Sequence, residues 1–385
     1  MNNFELYNPV KLIFGKNQLS KLSGEIPGQA KIMLTYGGGS IKKNGIYNNV
    51  MLQLKKFKVV EFGGIEANPQ YETLVKAVTF AKQEQIDFIL AIGGGSVIDG
   101  AKFIAAAIPF QGDDSWDILA KKAPVKKAIP FGVVLTLPAT GSEMNSGAVI
   151  TKAATKEKMV FSSPLVFPKF SFNDPTVIAS LPKRQLQNGV VDAFTHVMEQ
   201  YLTYNTKAYL QDRLAEGVLK TLIEIGAAVI NNPTNYTLAA NFMWCCTMAL
   251  NGLLSKGVPT DWATHMIGHE LTALHGVDHA QSLAIIAPNL YRTMKNDKFE
   301  KLVQYGQRVW NLSGNDEAIA DEAIEKTATF FTSLGVKIKL SDYTDKFEGT
   351  SSIICERFNK RGWTGLGEQQ HVTLEKVKEI VEMSY

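Results

Sequence analysis

Four short apolar runs in the first half of the chain end at glycines or turns, with helical stretches between them. Lys31–Tyr36 runs into Gly37-Gly38-Gly39, Phe57–Phe62 into Gly63-Gly64, and Phe88–Ile92 into Gly93-Gly94-Gly95; Pro130–Thr136 is the fourth. Between the second and third, Glu72–Gln83 spaces Leu74, Val75, Val78 and Ala81 as a helix does. Strand–helix alternation of this kind builds a parallel sheet with helices on both faces. The pattern stops near Asp174-Pro175 and Leu181-Pro182. From Gln185 onward come long segments rich in Ala, Leu, Glu and Lys, broken at Asn231-Asn232-Pro233, Lys256–Pro259 and Ser313-Gly314-Asn315. That is the signature of a helical region.

A chain of 385 residues exceeds what one core usually supports. We therefore expect an α/β, Rossmann-like dinucleotide-binding domain over residues 1–178 and an all-α domain over residues 179–385. A formal charge of +3 over this length makes no case for nucleic acid or a membrane surface. Three cysteines, two of them adjacent (Cys245 and Cys246), do not make a disulfide framework and suit a reducing compartment. The opening MNNFELYNPV lacks a basic stretch leading into an apolar one, and no run is long enough to span a bilayer. A cytoplasmic protein is expected.

Two Gly-Gly-Gly-Ser runs, Gly37–Ser40 and Gly93–Ser96, each follow an apolar strand. Glycines let backbone N–H groups approach a ligand closely, and a helix beginning after such a turn presents unpaired N–H groups to an anion. Ser96 is the expected N-cap of the helix after the second run. Either run alone fits a plain tight turn, and neither matches GxGxxG. The first run also bears on cofactor choice. NAD-binding folds usually end a strand on an acid that accepts the ribose hydroxyls and repels a 2′-phosphate. Tyr36–Lys43 instead offers hydroxyl and backbone donors, Lys42 and Lys43, and no carboxylate. NADP(H) is expected over NAD(H).

Of the six histidines, five fall in or near two helical segments. Asp192 and His196 stand at i and i+4 on one face of an otherwise apolar helix. A carboxylate buried there is costly unless something shares its charge, and a cation would. His265 and His269 repeat the i, i+4 spacing, Gly276 should end their helix, and His279 should open the next. Imidazole and carboxylate suit Fe²⁺, Zn²⁺, Co²⁺ or Mn²⁺. Spacing alone does not decide which of His265, His269, His275 and His279 are ligands. His371, among Gln and Glu, reads as a surface residue.

These motifs resemble the iron-containing (group III) alcohol dehydrogenases, in the branch of NADPH-dependent aldehyde reductases and butanol dehydrogenases. The resemblance runs through Val10–Lys16, Thr35–Ser40, Gly93–Lys102, Leu137–Glu143, Gly189–His196 and Gly257–His279. It implies a site in the cleft between a dinucleotide-binding and a helical domain. It assigns one divalent metal, Fe²⁺ or Zn²⁺, to Asp192, His196, His265 and His279. His269 then lies beside metal and nicotinamide, and His275 outside the ligand set. The likeness puts Gly94, Gly95, Ser96 and Asp99 at the cofactor with Thr136, Thr140, Ser142 and Lys158, joining Gly37, Gly38, Gly39 and Ser40 of the first run. It also implies a homodimer pairing through the strand around Leu12–Phe14. Asn173 departs from the aliphatic residue common before the family's Asp-Pro.

The expected reaction is NADPH-dependent reduction of a small uncharged aldehyde to a primary alcohol, reversibly. The metal would polarise the carbonyl, and His269, one helical turn from His265, is the candidate proton relay. Phe194, Val197, Trp262, Met266 and Ile267 surround the ligands in sequence, which favours an uncharged substrate over the phosphorylated sugar acid of a dehydroquinate-synthase-like lyase. A polyol dehydrogenase is the other alternative, and a non-catalytic nucleotide sensor or metal-stapled structural protein the third.

Overall fold

The computed structural model describes residues 1–385. Two compact units form: Tyr7–Pro182 with Pro233–Thr247, and Met1–Leu6 with Lys183–Asn232 and Met248–Tyr385. No helix is long and apolar enough to cross a membrane.

The first unit holds eight strands: β1 (Lys11–Phe14), β2 (Lys31–Tyr36), β3 (Lys58–Phe62), β4 (Phe88–Gly94), β5 (Phe131–Leu137), β6 (Gly147–Lys152), β7 (Glu157–Ser162) and β8 (Phe170–Asn173). Its helices are α1 (Leu22–Glu25), α2 (Ser40–Lys43), α3 (Ile46–Gln53), α4 (Tyr71–Gln83), α5 (Gly95–Ala107) and α6 (Asp117–Ala120). Six strands form one sheet in the order β1-β8-β5-β4-β2-β3, parallel throughout. One face packs Leu22, Ile41, Ile46 and Val50 onto Ile32, Leu34, Leu90 and Phe172. β6 and β7 form a separate antiparallel hairpin.

Strand order decides where a ligand can sit. The chain steps from β2 outward to β3, then returns past β2 to β4. The crevice at such a reversal, outside the carboxyl ends of the strands, is where open α/β sheets bind ligands. Tyr36, the last residue of β2, pairs with Ile92 of β4, so the first glycine run leaves the sheet beside the second, whose Gly93 and Gly94 still pair with β5.

The second unit holds α7 (Lys183–Tyr201), α8 (Tyr209–Asn231), α10 (Ala263–His275), α11 (His279–Thr293), α12 (Phe299–Val309), α13 (Asp316–Ser333), α14 (Thr350–Lys360) and α15 (Leu374–Glu382), with α9 (Tyr236–Ala249) preceding α10. Local signals set many ends. The Asn315 side chain accepts from Ala318 N and caps α13, and Thr373 caps α15. Gly276, at φ 70°, ends α10 in the left-handed conformation that costs glycine least. Two strands of two residues, β9 (Gly365–Leu366) and β10 (Val372–Thr373), interrupt the helices. Most of α9, through Thr247, belongs to the sheet unit, so the residues of that unit are not continuous in the chain. The Trp244 ring packs edge-on to Phe14, and Thr247 Oγ1 donates to buried Glu143 at 2.6 Å.

Candidate metal centre and dinucleotide cradle

α7 is buried along its last three turns, from Gly189 to Tyr201. Asp192 and His196 therefore lie in the interior, at 3% and 4% exposure. α10 brings His265, also buried, and α11 opens on half-buried His279. One ligand atom from each of Asp192, His196, His265 and His279 lies within 4.8 Å of the others. Asp192 Oδ1 is 3.7 Å from His196 Nδ1 and 3.6 Å from His279 Nε2. The His196 and His265 rings stack at 4.7 Å. His196 Nδ1 is buried with no hydrogen-bond partner, a cost that coordination would remove. Burial pushes the His196 pKa down to about 4, against the attraction of Asp192. The ring is thus neutral at neutral pH, as a ligand must be. Three imidazoles and one carboxylate fit a divalent first-row metal.

His269 stands beside this set, its ring 5.1 Å from that of His279 and 6.2 Å from that of His265. His275 turns to Thr350 Oγ1 at 2.9 Å, and His371 is exposed near Asp297. Of the apolar neighbours, Phe194 packs on Phe330 and Phe331, and Val197 and Ile267 are wholly buried. These serve the core. Trp262 is the one whose ring meets the ligands, edge-on to His265 at 5.3 Å and to His196 at 6.3 Å.

In the sheet unit, β4 runs through Gly94 and α5 begins at Gly95, with Gly94 in the cap position and no capping side chain. Ser96 is therefore not the N-cap. The helix starts before it, and its hydroxyl accepts from Asn68 N at 3.2 Å. Without a side-chain cap, first-turn N–H groups stay available to an anion. Lys158, on β7, reaches the same place through Asn68 Oδ1 at 2.9 Å. Asn68, in the left-handed region at φ 58°, joins Ser96 to Lys158, and sequence reading missed it. Its signal was the pair Asn68-Pro69, since asparagine tolerates that conformation in turns.

Thr136 lies at the end of β5, and Thr140 and Ser142 lie in the loop that follows. The Ser142 hydroxyl donates to Asp99 Oδ1 at 2.6 Å and accepts from Lys102 Nζ at 2.7 Å. Asp99 Oδ2 accepts from Val149 N. Asp99 and Ser142 thus tie α5 to the loop and the hairpin. Burial raises the Asp99 pKa, and it lowers that of Lys102 to about 8. Lys102 has no exposed surface and also donates to Asn145 Oδ1 and Gly147 O.

A Cβ on Gly95 would sit 2.5 Å from Thr140 Oγ1 and 2.6 Å from its Cγ2. Thr140 is itself held, since its Oγ1 accepts from Ser142 N. Gly95→Ala is therefore expected to displace this loop, costing about 1–3 kcal/mol of stability and weakening dinucleotide binding about tenfold or more, read by fluorescence titration.

Gly37, Gly38, Gly39 and Ser40 form the turn from β2 into α2, with Gly39 at φ 87°. The segment has no carboxylate of its own, but β3 brings one. Glu61 Oε2 accepts from Lys42 Nζ at 2.9 Å and Tyr36 OH at 3.0 Å, and Glu61 Oε1 pairs with Tyr47 OH. Burial raises the Glu61 pKa, but these three donors outweigh it and hold the group below its ordinary value. A cavity of about 180 Å³, lined by Leu135, Asn173, Thr176 and Asn44 among others, opens past the ends of β5 and β8.

One unit thus carries a parallel sheet with two glycine-rich turns, and the other a cluster of three histidines and one aspartate. Residues 9–175 match the iron-containing alcohol dehydrogenase family, and residues 187–385 match the C-terminal part of the Fe-containing alcohol dehydrogenase family. The chain belongs to the iron-containing alcohol dehydrogenases. It is 50% identical over 386 residues to the NADPH-dependent aldehyde reductase YqhD of Escherichia coli, covering 99% of each chain. It is 46% identical to the probable NADH-dependent butanol dehydrogenase 1 of Bacillus subtilis, covering 92% of each. The crystal structure of Escherichia coli YqhD superposes with a TM-score of 0.98 at 48% identity, covering 100% of this chain and 99% of that one. Butanol dehydrogenase A of Thermotoga maritima does so at 0.94 and 34%, covering 100% and 99%. These relatives do not favour the lyase and polyol alternatives.

Proposed function

We propose that this chain is a metal-dependent, NADP(H)-linked reductase of small uncharged aldehydes, working reversibly as a primary-alcohol dehydrogenase. The observation that carries the reading is the convergence of Asp192, His196, His265 and His279 within 4.8 Å in a chain of this family. Asp192, His196, His265 and His279 would hold a divalent cation, Fe²⁺ or Zn²⁺, which would supply Lewis acidity for a carbonyl, and a bound nicotinamide would supply hydride. Trp262, edge-on to the His265 and His196 rings, adds apolar surface beside the ligands that suits an uncharged substrate. His269 moves the proton to the product oxygen, directly or through water.

Residues 1–178 carry the dinucleotide role and residues 179–385 the metal role. Gly94, Gly95 and Ser96 offer first-turn amides to the pyrophosphate beside Lys158 and Thr140. Asp99 and Ser142 keep that cradle in shape, and Thr136 borders it. Gly37, Gly38, Gly39 and Ser40 receive the 2′-phosphate, for which the NADPH-dependent relative gives support. The exposed edge of β1, Lys11–Phe14, suits pairing with a second copy in a homodimer, because an unpaired edge strand invites a partner strand. Three free thiols suit the cytoplasm.

The test is metal analysis of purified protein followed by butanal-dependent oxidation of NADPH and NADH on the same sample. NADPH should be oxidised faster, and chelation should stop turnover until Fe²⁺ or Zn²⁺ is returned. Full activity in a metal-free sample would overturn the reading.

A further inference from the structure

One face of α7 carries polar side chains at Arg184, Asn188, Asp192, His196 and Glu199, a spacing of four, four, four and three that keeps them aligned. Asp192 and His196 belong to the cluster already described. The others reach toward the remaining two histidines. Arg184 Nε and Nη2 and Asn188 Nδ2 all donate to Asp278, at 2.6–2.7 Å, and Asp278 immediately precedes His279. Glu199 Oε2 pairs with His265 Nδ1, and Glu199 Oε1 accepts from Thr264 N at 2.6 Å.

Glu199 is 2% exposed, which makes an uncompensated carboxylate expensive. Its two oxygens meet two N–H donors at the start of α10, where the helix dipole also favours negative charge. An imidazole carries its proton on one nitrogen or the other. With Nδ1–H donated to Glu199, Nε2 is the nitrogen left to present a lone pair to a cation.

We infer that Glu199 is a positioning residue that fixes His265 as the Nδ1–H tautomer and so sets the affinity of the centre for its metal. The inference rests on the metal-centre reading above. Glu199→Gln keeps the size of the side chain but replaces one acceptor by a donor. Whichever way the amide turns, its N–H groups face either the Thr264 N–H or the ring nitrogen of His265. One of the two bonds is lost, or His265 is driven to the wrong tautomer.

The experiment loads metal-free protein with Co²⁺ against a competing chelator. Glu199→Gln should bind roughly 10–100-fold more weakly, with altered visible ligand-field bands. In a His265→Ala background the same substitution should change Co²⁺ affinity by less than about twofold, because additivity fails only where the two residues act through each other. In the Zn²⁺-loaded wild-type protein, proton NMR should show a slowly exchanging imidazole N–H that disappears in His265→Ala. That measurement needs no Glu199 variant to fold. Wild-type affinity and spectrum in Glu199→Gln, an equal loss in both backgrounds, or absence of the protected proton would overturn the inference. Wild-type protein that takes up no Co²⁺ at all would instead bring down the metal-centre reading and this inference with it.

Discussion

His265→Ala should purify without bound metal and lose butanal-dependent NADPH oxidation, whereas His275→Ala should keep both. The contrast follows from where the two rings go. His265 is buried in the four-residue cluster, while His275, on the same helix, spends Nε2 on Thr350. Losing an outer partner of a ligand costs roughly 10–100-fold in affinity. Losing a ligand outright should exceed that, because Asp192 is left buried with one fewer imidazole to share a cation. His279→Ala should match His265→Ala. His269→Ala should retain metal and slow turnover by about 10²-fold or more if its ring relays the proton. Metal content by elemental analysis and turnover on the same samples separate these three classes. A His265→Ala protein that holds stoichiometric metal would show that the cluster is a packing arrangement.

The strands that were legible in the sequence are those with long apolar runs. β2 appears at the residues its pattern marked, β3 starts one residue after its run, and β5 is shifted one residue later at both ends. β4 extends two residues into its glycines, since Gly93 and Gly94 still pair with β5. This is why Ser96 missed the cap position. The β6–β7 hairpin, β8 and the β9–β10 pair gave no comparable signal. β8 is four residues between Pro168 and Pro175, and β9 and β10 are two residues each, too short for periodicity to register.

Pairs on one helix, Asp192 with His196 and His265 with His269, can be read from spacing because helix geometry alone joins them. Their convergence could not. It depends on α7, α10 and α11 packing together, as does the separation of His269 from the set of four. Glu199 stood in plain sight seven residues after Asp192, yet one more glutamate in a helix carries no message until its partner is known. Lys102 and Glu61 were hidden for the same reason. Both are charges whose meaning lies in residues forty or nineteen positions away along the chain.

The largest expected loss of stability lies behind the metal centre, in Lys298→Met. Lys298 is 3% exposed, and its Nζ contacts Asp261 Oδ2 at 2.5 Å, Glu368 Oε2 at 3.3 Å and Leu202 O at 2.8 Å. It thereby joins the end of α7, the start of α10 and the β9–β10 turn. Asp261 in turn accepts from Ala263 N at 2.8 Å, two residues before His265. Breaking a buried pair by removing one partner costs about 3–5 kcal/mol, because the remaining charge stays buried without compensation. Burial lowers the Lys298 pKa, but the two carboxylates outweigh it and the value is raised. The stabilisation is then complete below the ordinary lysine value and is lost only as pH climbs through the raised one. The deficit of Lys298→Met, measured by urea unfolding, should therefore be the same at pH 7 and pH 9. Neutralising the partners as well, with Asp261→Asn and Glu368→Gln, should recover much of it. Asparagine still offers an acceptor to the α10 amide, and no bare carboxylate remains. If the triple variant were less stable than Lys298→Met alone, hydrogen bonding rather than uncompensated charge would account for the loss.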